Sequence, residues 1–222
     1  MSPESDASSP EETRGSQKVR ASAAKENEFT HYGRVATWMI ARGLWSVIFG
    51  IVVVFWPRVQ IDSPFNTAVG VRTAALLILA YIVVQALMLL GQAAKTPALR
   101  TQLLGQAVVV LPAAGFLLFA SEAGAVRAAI MVWALLHGLL EAWIYVRVKH
   151  QRMSTDFAIA AAVHLLLAVA MILGSNMKAL SEMGLTGAAA TIIGVVYAVG
   201  GFTRNNSCLL YTSDAADDTA SV

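Results

Sequence analysis

Residues 69–92 read VGVRTAALLILAYIVVQALMLLGQ and carry one charged side chain, Arg72. A helix rises about 1.5 Å per residue, so this stretch is long enough to cross roughly 30 Å of hydrocarbon. Because water is absent there, every backbone N–H and C=O must find its hydrogen bond within the segment. The stretch therefore predicts a transmembrane helix.

The rest of the chain repeats this pattern. Residues of the AVILMFWYC set make up 57% of the chain, charged residues make up 14%, and the mean hydropathy is +0.62. A soluble domain carries about 25% charged residues, so this composition excludes an ordinary cytosolic enzyme. Six spans are predicted, at Ala36–Trp56, Val69–Gln92, Leu99–Ala120, Ala125–Val146, Phe157–Gly174 and Gly187–Phe202. Their short connections make neighbouring helices antiparallel.

A weak internal repeat groups these spans. The first and third end alike, in GIVVVFWP (50–57) and GFLLFAS (115–121), and the second and fourth begin alike, in AVGVRTAALL and AGAVRAAIMV. This correspondence aligns Arg72 with Arg127. The predicted fold class is all-α, an integral membrane bundle of six transmembrane helices arranged as three repeated antiparallel hairpins.

The two ends of the chain differ from this body. Residues 1–29 are rich in Ser, Ala, Glu and Lys without an apolar run, and predict a disordered cytoplasmic tail. From Cys208 the chain reads CLLYTSDAADD, which matches the translation of a transposon-type sequencing adaptor. We expect residues 207–222 to be adaptor read-through, which removes thiol chemistry with the only cysteine. The six-helix domain is then 30–206.

The distribution of basic residues predicts how the bundle is oriented in the membrane. Nine of them fall on the side of the N-terminus and four on the other side, which by the positive-inside rule places both termini in the cytoplasm. The inner loop carries Arg147, Lys149 and Arg152, which are candidates for contact with anionic lipid headgroups. This loop is too short to predict nucleic-acid binding.

A few polar side chains lie inside the predicted spans. Glu141 and Arg42 each lie about six residues from the inner end of their helix. With a rise of about 1.5 Å per residue, both side chains are at the same depth in the membrane, which predicts an ion pair between them. Five more polar residues lie at this depth or one helical turn away, and together with Arg42 and Glu141 they form a predicted polar layer: Gln85, Gln106, His137, His164 and Tyr197. The stripe Trp133, His137, Glu141 and Tyr145 is expected to face the bundle interior.

Two interpretations of this layer stay open. One is a polar vestibule or proton-responsive cluster in which His137, His164 and Glu141 change charge, because the ordinary pKa of histidine lies near 6.5. The other is a set of interhelical hydrogen bonds, each contributing about 0.6 kcal/mol, that fixes the packing. Small residues on the sixth helix, Ala190, Gly194 and Ala198, predict close helix contacts.

Enzyme signatures are missing from the sequence. It contains no Gly-rich phosphate loop, no HExxH and no GxSxG, so we expect no catalysis, cofactor or metal site. The expected partner is the lipid bilayer, and self-association is left open.

The segment ARGLWSVIFGIVVVFWP (41–57), followed by the Gly/Arg opening of the second helix, resembles HdeD-like acid-resistance membrane proteins, the short-repeat family called domain of unknown function 308. The resemblance implies a bacterial inner-membrane protein linked to acid or envelope stress, without catalytic residues. Two alternatives are a small proton-coupled transporter or channel that uses the polar layer, and an adaptor that recruits a partner through its N-terminal tail.

Overall fold

A computed structural model of the chain describes residues 36–56, 70–150 and 154–219, with side chains up to residue 204 in the last range. Nearly all of these residues are helical, and no strand occurs within them. The helices are α1 Ala36–Phe55, α2 Val71–Lys95, α3 Arg100–Leu118, α4 Ala123–Val148, α5 Ser154–Leu173 and α6 Ala179–Thr219. The all-helical prediction is confirmed.

Each of the six helices found in the described ranges is long and apolar enough to cross a membrane. Their outward faces carry large apolar side chains, such as Phe55, which is 80% exposed, and Leu111, which is 69% exposed. In water such surfaces would drive aggregation, whereas lipid solvates them. The chain is a multi-pass membrane protein whose outer surface contacts the bilayer.

The helices form a closed bundle. α2 contacts α3, α3 contacts α4, α4 contacts α5 and α5 contacts α6. Gly91 of α2 lies against the indole of Trp38 and Gly43 lies against α6, so α1 closes the bundle. The contacts of α2 with α3 and of α4 with α5 are the most extensive among the pairs described. The grouping into three hairpins therefore stays a prediction.

Glycines spaced seven residues apart join α1 to α6. They are Gly43 and Gly50 on α1 and Gly187, Gly194 and Gly201 on α6. A Cβ atom added at Gly43 would lie 2.6 Å from the carbonyl oxygen of Gly194, and one added at Gly194 would lie 2.7 Å from that of Gly43. Real Cβ atoms do not come this close to backbone, so neither position accepts a side chain without the helices moving apart.

Arginines bind helix ends at the end of the bundle where α2, α4 and α6 begin. Arg72, near the start of α2, donates a hydrogen bond to the carbonyl of Leu118, at the end of α3. Arg127, near the start of α4, donates to the carbonyl of Ser175, after the end of α5, at 2.7 Å. Positive charge is favourable at a helix C-terminus. The two arginines that the repeat aligns thus make equivalent contacts.

The predicted start of the sixth helix, Gly187, was wrong. α6 begins at Ala179, and Glu182, which lies before the predicted start, is fully buried. Its Oε1 lies 3.6 Å from Nη1 of Arg127, so the charge is paired inside the bundle rather than exposed in a loop.

Several predictions fall outside the described residues. They are the prediction of a disordered tail at 1–29 and the predicted lipid contact of Arg152. The segment 207–222, predicted to be adaptor read-through, lies where no side chain is described.

Candidate intramembrane polar cluster

Arg42 binds α2 from the middle of α1. Its side chain is buried, and its Nε donates to Oε1 of Gln85 at 3.4 Å. Its Nη1 donates to Oε1 of Gln92 at 3.2 Å. Gln85 and Gln92 are two helical turns apart, so both amides face α1. The guanidinium is therefore solvated by side-chain carbonyl oxygens instead of water.

One turn further along α1, Ser46 continues this contact. The Nε2 of Gln85 donates to Oγ of Ser46 at 2.6 Å, and Oγ of Ser46 lies 3.1 Å from the hydroxyl oxygen of Tyr81. Tyr81 precedes Gln85 by one turn of α2. The i, i+4 spacing on both helices thus places four polar residues in one strip.

Glu141 forms a second set of contacts, on α4. It is fully buried, and its Oε2 lies 2.7 Å from Nδ1 of His164 on α5. Its Oε1 accepts a hydrogen bond of 2.7 Å from the hydroxyl of Tyr197 on α6. His137, one turn before Glu141, has its Nε2 3.8 Å from Oε1. One carboxylate therefore holds three helices together.

The predicted ion pair between Arg42 and Glu141 was wrong. The guanidinium carbon of Arg42 lies 5.0 Å from the ring centre of Tyr197, and the hydroxyl of Tyr197 donates to Glu141. The phenol ring thus separates the two charges and contacts both. Arg42 and Glu141 were predicted at equal depth, but equal depth does not make two side chains neighbours. Arg42 lies on α1, which packs on α2 and α6, whereas the partners of Glu141 come from α5 and α6.

Aromatic rings enclose the histidines. The ring of Trp133, one turn before His137, is 5.5 Å from the ring of His137 and 5.3 Å from that of His164. The two imidazoles are 4.8 Å apart. A void lined by Tyr81, Trp133, His164, Thr186 and neighbouring apolar residues has no room for a water molecule. This side of the cluster is dry.

Most of the predicted layer belongs to these contacts. Six of its members make them: Arg42, Gln85, His137, Glu141, His164 and Tyr197. Gln106 is fully buried on α3, but neither its amide oxygen nor its amide nitrogen has a partner among the described residues. Tyr145 was expected to face inward, and it is 39% exposed. Sequence reasoning missed Gln92, although its seven-residue spacing from Gln85 signals the same helix face.

Arg147 and Lys149 are exposed at the end of α4. Contact of these side chains with anionic lipid stays a prediction.

Three side chains of the cluster could together hold a metal ion. His137, Glu141 and His164 each offer one ligand atom, and these atoms lie within 4.8 Å of one another. All three residues are buried. The sequence did not point to them as ligands, because His164 lies on a different helix from the other two.

Comparisons with known proteins give no assignment. No family model matches the chain, and no match is found among curated proteins or among solved structures.

Proposed function

We propose that this chain is a non-enzymatic, multi-pass protein of the bacterial inner membrane, of the HdeD-like type, that supports tolerance of acid or envelope stress. The observation that carries the proposal is that the polar side chains inside the bundle bind one another across helices. They make a framework that keeps the bundle assembled.

The contacts of Glu141 illustrate this role. A carboxylate inside a membrane is expensive unless it is paired, and here it receives hydrogen bonds from α5 and α6. Separating these helices would leave the charge unpaired in hydrocarbon. These contacts favour a bundle in which α4, α5 and α6 stay together, and this is the property that the proposed stress function would use.

The enclosure of the cluster supports a non-enzymatic role. A substrate would have to reach Glu141 or the histidines, but the void beside His164 does not admit water. The same packing argues against a transport pathway on this side of the cluster.

The membrane assignment has separate support from the sequence. Segment 41–57 carries the HdeD-like resemblance, and the nine-to-four distribution of basic residues favours cytoplasmic termini in a bacterial inner membrane.

Survival of an acid-sensitive bacterial strain tests the proposal. Cells that express the chain should survive an acid challenge better than cells with an empty vector. Arg42→Gln should remove this benefit, because it takes a buried cation out of the α1–α2 contact. Arg100→Gln is the matched control, since Arg100 is exposed at the start of α3. Equal survival with and without the chain would contradict the proposal.

A flux measurement separates this function from transport. Purified protein in proteoliposomes should leave an imposed proton gradient intact. Decay of the gradient that depends on the protein and stops in Glu141→Gln would favour a proton-coupled pathway instead.

A further inference from the structure

His137 is the unexplained member of the cluster. It is only 3% exposed, and its Nδ1 is buried with no hydrogen-bond partner among the described residues. Its Nε2 is 3.8 Å from Oε1 of Glu141, which is too long for a hydrogen bond. Burying Nδ1 without a partner is unfavourable, and the hydrogen bonds between helices do not account for it.

The distances around His137 suit a metal ion. Nδ1 of His164 is 2.7 Å from Oε2 of Glu141, Nε2 of His137 is 3.8 Å from Oε1, and the ligand atoms lie within 4.8 Å of one another. Two ligands about 2.0 Å from a tetrahedral zinc ion are separated by roughly 3.3 Å. The donor separations lie on both sides of this value, so the two imidazoles and the carboxylate would turn to admit an ion, and the hydrogen bond between Nδ1 of His164 and Glu141 would be replaced by bonds to the metal.

The donor set also selects the kind of ion. Two imidazoles and a carboxylate are ligands that suit Zn²⁺ and neighbouring transition metals, whereas Mg²⁺ and Ca²⁺ prefer oxygen ligands. Each of the three residues offers one ligand atom, so together they fill three positions of a tetrahedral ion. A water molecule that enters with the ion would fill the fourth position, as in other zinc sites with three protein ligands.

The surroundings favour a cation at this position. Tyr197 keeps the guanidinium of Arg42 away from Glu141, so the carboxylate is not neutralised by a direct ion pair. The same tyrosine hydrogen-bonds to Oε1, as outer partners of metal-binding carboxylates do. Trp133 covers both imidazoles and limits access of water.

We propose that His137, Glu141 and His164 form a binding site for one divalent transition-metal ion, with Zn²⁺ as the fitting case. The site would join α4 to α5 within the membrane. This inference goes beyond the proposed stress function and does not depend on it.

Metal titration of the full chain tests the site. The protein, purified in detergent without a histidine tag and treated with chelator, is titrated with Co²⁺ and then with Zn²⁺. We expect one Co²⁺ per chain with the strong visible absorption of four-coordinate cobalt, and its loss as Zn²⁺ displaces the cobalt. No saturable binding, or the weak absorption of six-coordinate cobalt, would overturn the proposal.

Variants then assign the ligands. His137→Phe should weaken Zn²⁺ binding by at least about 100-fold, beyond the 10- to 100-fold typical of outer-partner changes. It should still fold, because His137 makes no hydrogen bond in the framework, and Zn²⁺ should raise the unfolding temperature of the unsubstituted chain but not of this variant. His150→Phe is the control, because His150 is exposed after α4. Unchanged binding by His137→Phe, or loss of binding in His150→Phe, would refute the assignment.

Glu141→Gln provides a second variant of nearly equal shape. Because it removes the negative charge and one oxygen donor, it should also abolish the cobalt absorption. Retention of that absorption would exclude Glu141 as a ligand.

Discussion

At the scale of single residues, Tyr197 connects the two charges of the core. Its ring lies under the guanidinium of Arg42 and its hydroxyl donates to Glu141. Counting residues from helix ends predicted a shared polar layer, and six of its seven members make the contacts described above, whereas Gln106 has no partner among the described residues. The count could not indicate which of them touch, because contact depends on the order of helices around the bundle, and depth carries no information about that order.

Tyr197→Phe should destabilise the protein by about 1–2 kcal/mol. The change removes one hydrogen bond to a charged carboxylate, and such bonds contribute about 1.5–3 kcal/mol in soluble proteins, whereas bonds between membrane helices average about 0.6 kcal/mol. Unfolding in mixed detergent measures the difference. Tyr145→Phe is the control, since Tyr145 is 39% exposed on α4. Equal stabilities of the two variants would show that the hydroxyl of Tyr197 is unimportant.

At the scale of helices, glycine governs the contact of α1 with α6. The sequence predicted close packing from Ala190, Gly194 and Ala198, and Gly194 and Ala198 do lie against Gly43. The seven-residue spacing of the glycines went unrecognised, because small residues occur throughout apolar helices and only the partner helix distinguishes the positions that matter. The start of α6 was missed for a similar reason, since the partner of Glu182 lies on α4.

Two glycines of α6 give a matched comparison. Gly194→Ala should cost about 1–3 kcal/mol, because its Cβ would meet the backbone of α1 and force the helices apart. Gly184→Ala meets nothing within 4 Å and should be neutral, or stabilising by up to about 1 kcal/mol through helix propensity. Thermal unfolding in detergent checks both. A harmless Gly194→Ala would contradict the close packing.

Arg127 should matter more than Arg72. Both bind carbonyls at helix ends, but Arg127 also lies beside the buried carboxylate of Glu182. Arg127→Ala should therefore lower the free energy of unfolding more than Arg72→Ala, because it leaves a buried charge unpaired. Adding Glu182→Gln should recover part of the loss. If Arg127→Ala cost the same with Glu182 or Gln at that position, the pair would contribute nothing.

At the scale of the whole molecule, the need of a membrane-spanning helix for apolar side chains made the fold class predictable from the sequence. A helix that spans lipid needs about 20 apolar residues, so six spans were visible without any knowledge of their contacts. The candidate site was only partly predictable. The residues of the layer could be named, but the metal-binding geometry of His137, Glu141 and His164 arises only when α4 meets α5.

Cysteine labelling tests the orientation proposed for the bundle. In a Cys208→Ser background, Ser175→Cys should react with a membrane-impermeant thiol reagent added to intact spheroplasts, because Ser175 is exposed at the end of the bundle that the proposed orientation places outside the cytoplasm. Lys149→Cys, exposed at the opposite end, should react only after lysis. The reverse pattern would place the termini outside the cytoplasm.

The close contact between α1 and α6 also has a consequence for biosynthesis. A ribosome makes α1 before α6, so Gly43 meets Gly194 only after α2 to α5 have been synthesised. During that interval Arg42 lacks the ring of Tyr197 and relies on α2 alone. A nascent chain that has not yet reached residue 179 therefore leaves uncovered the face of α1 that contacts α6 in the finished bundle.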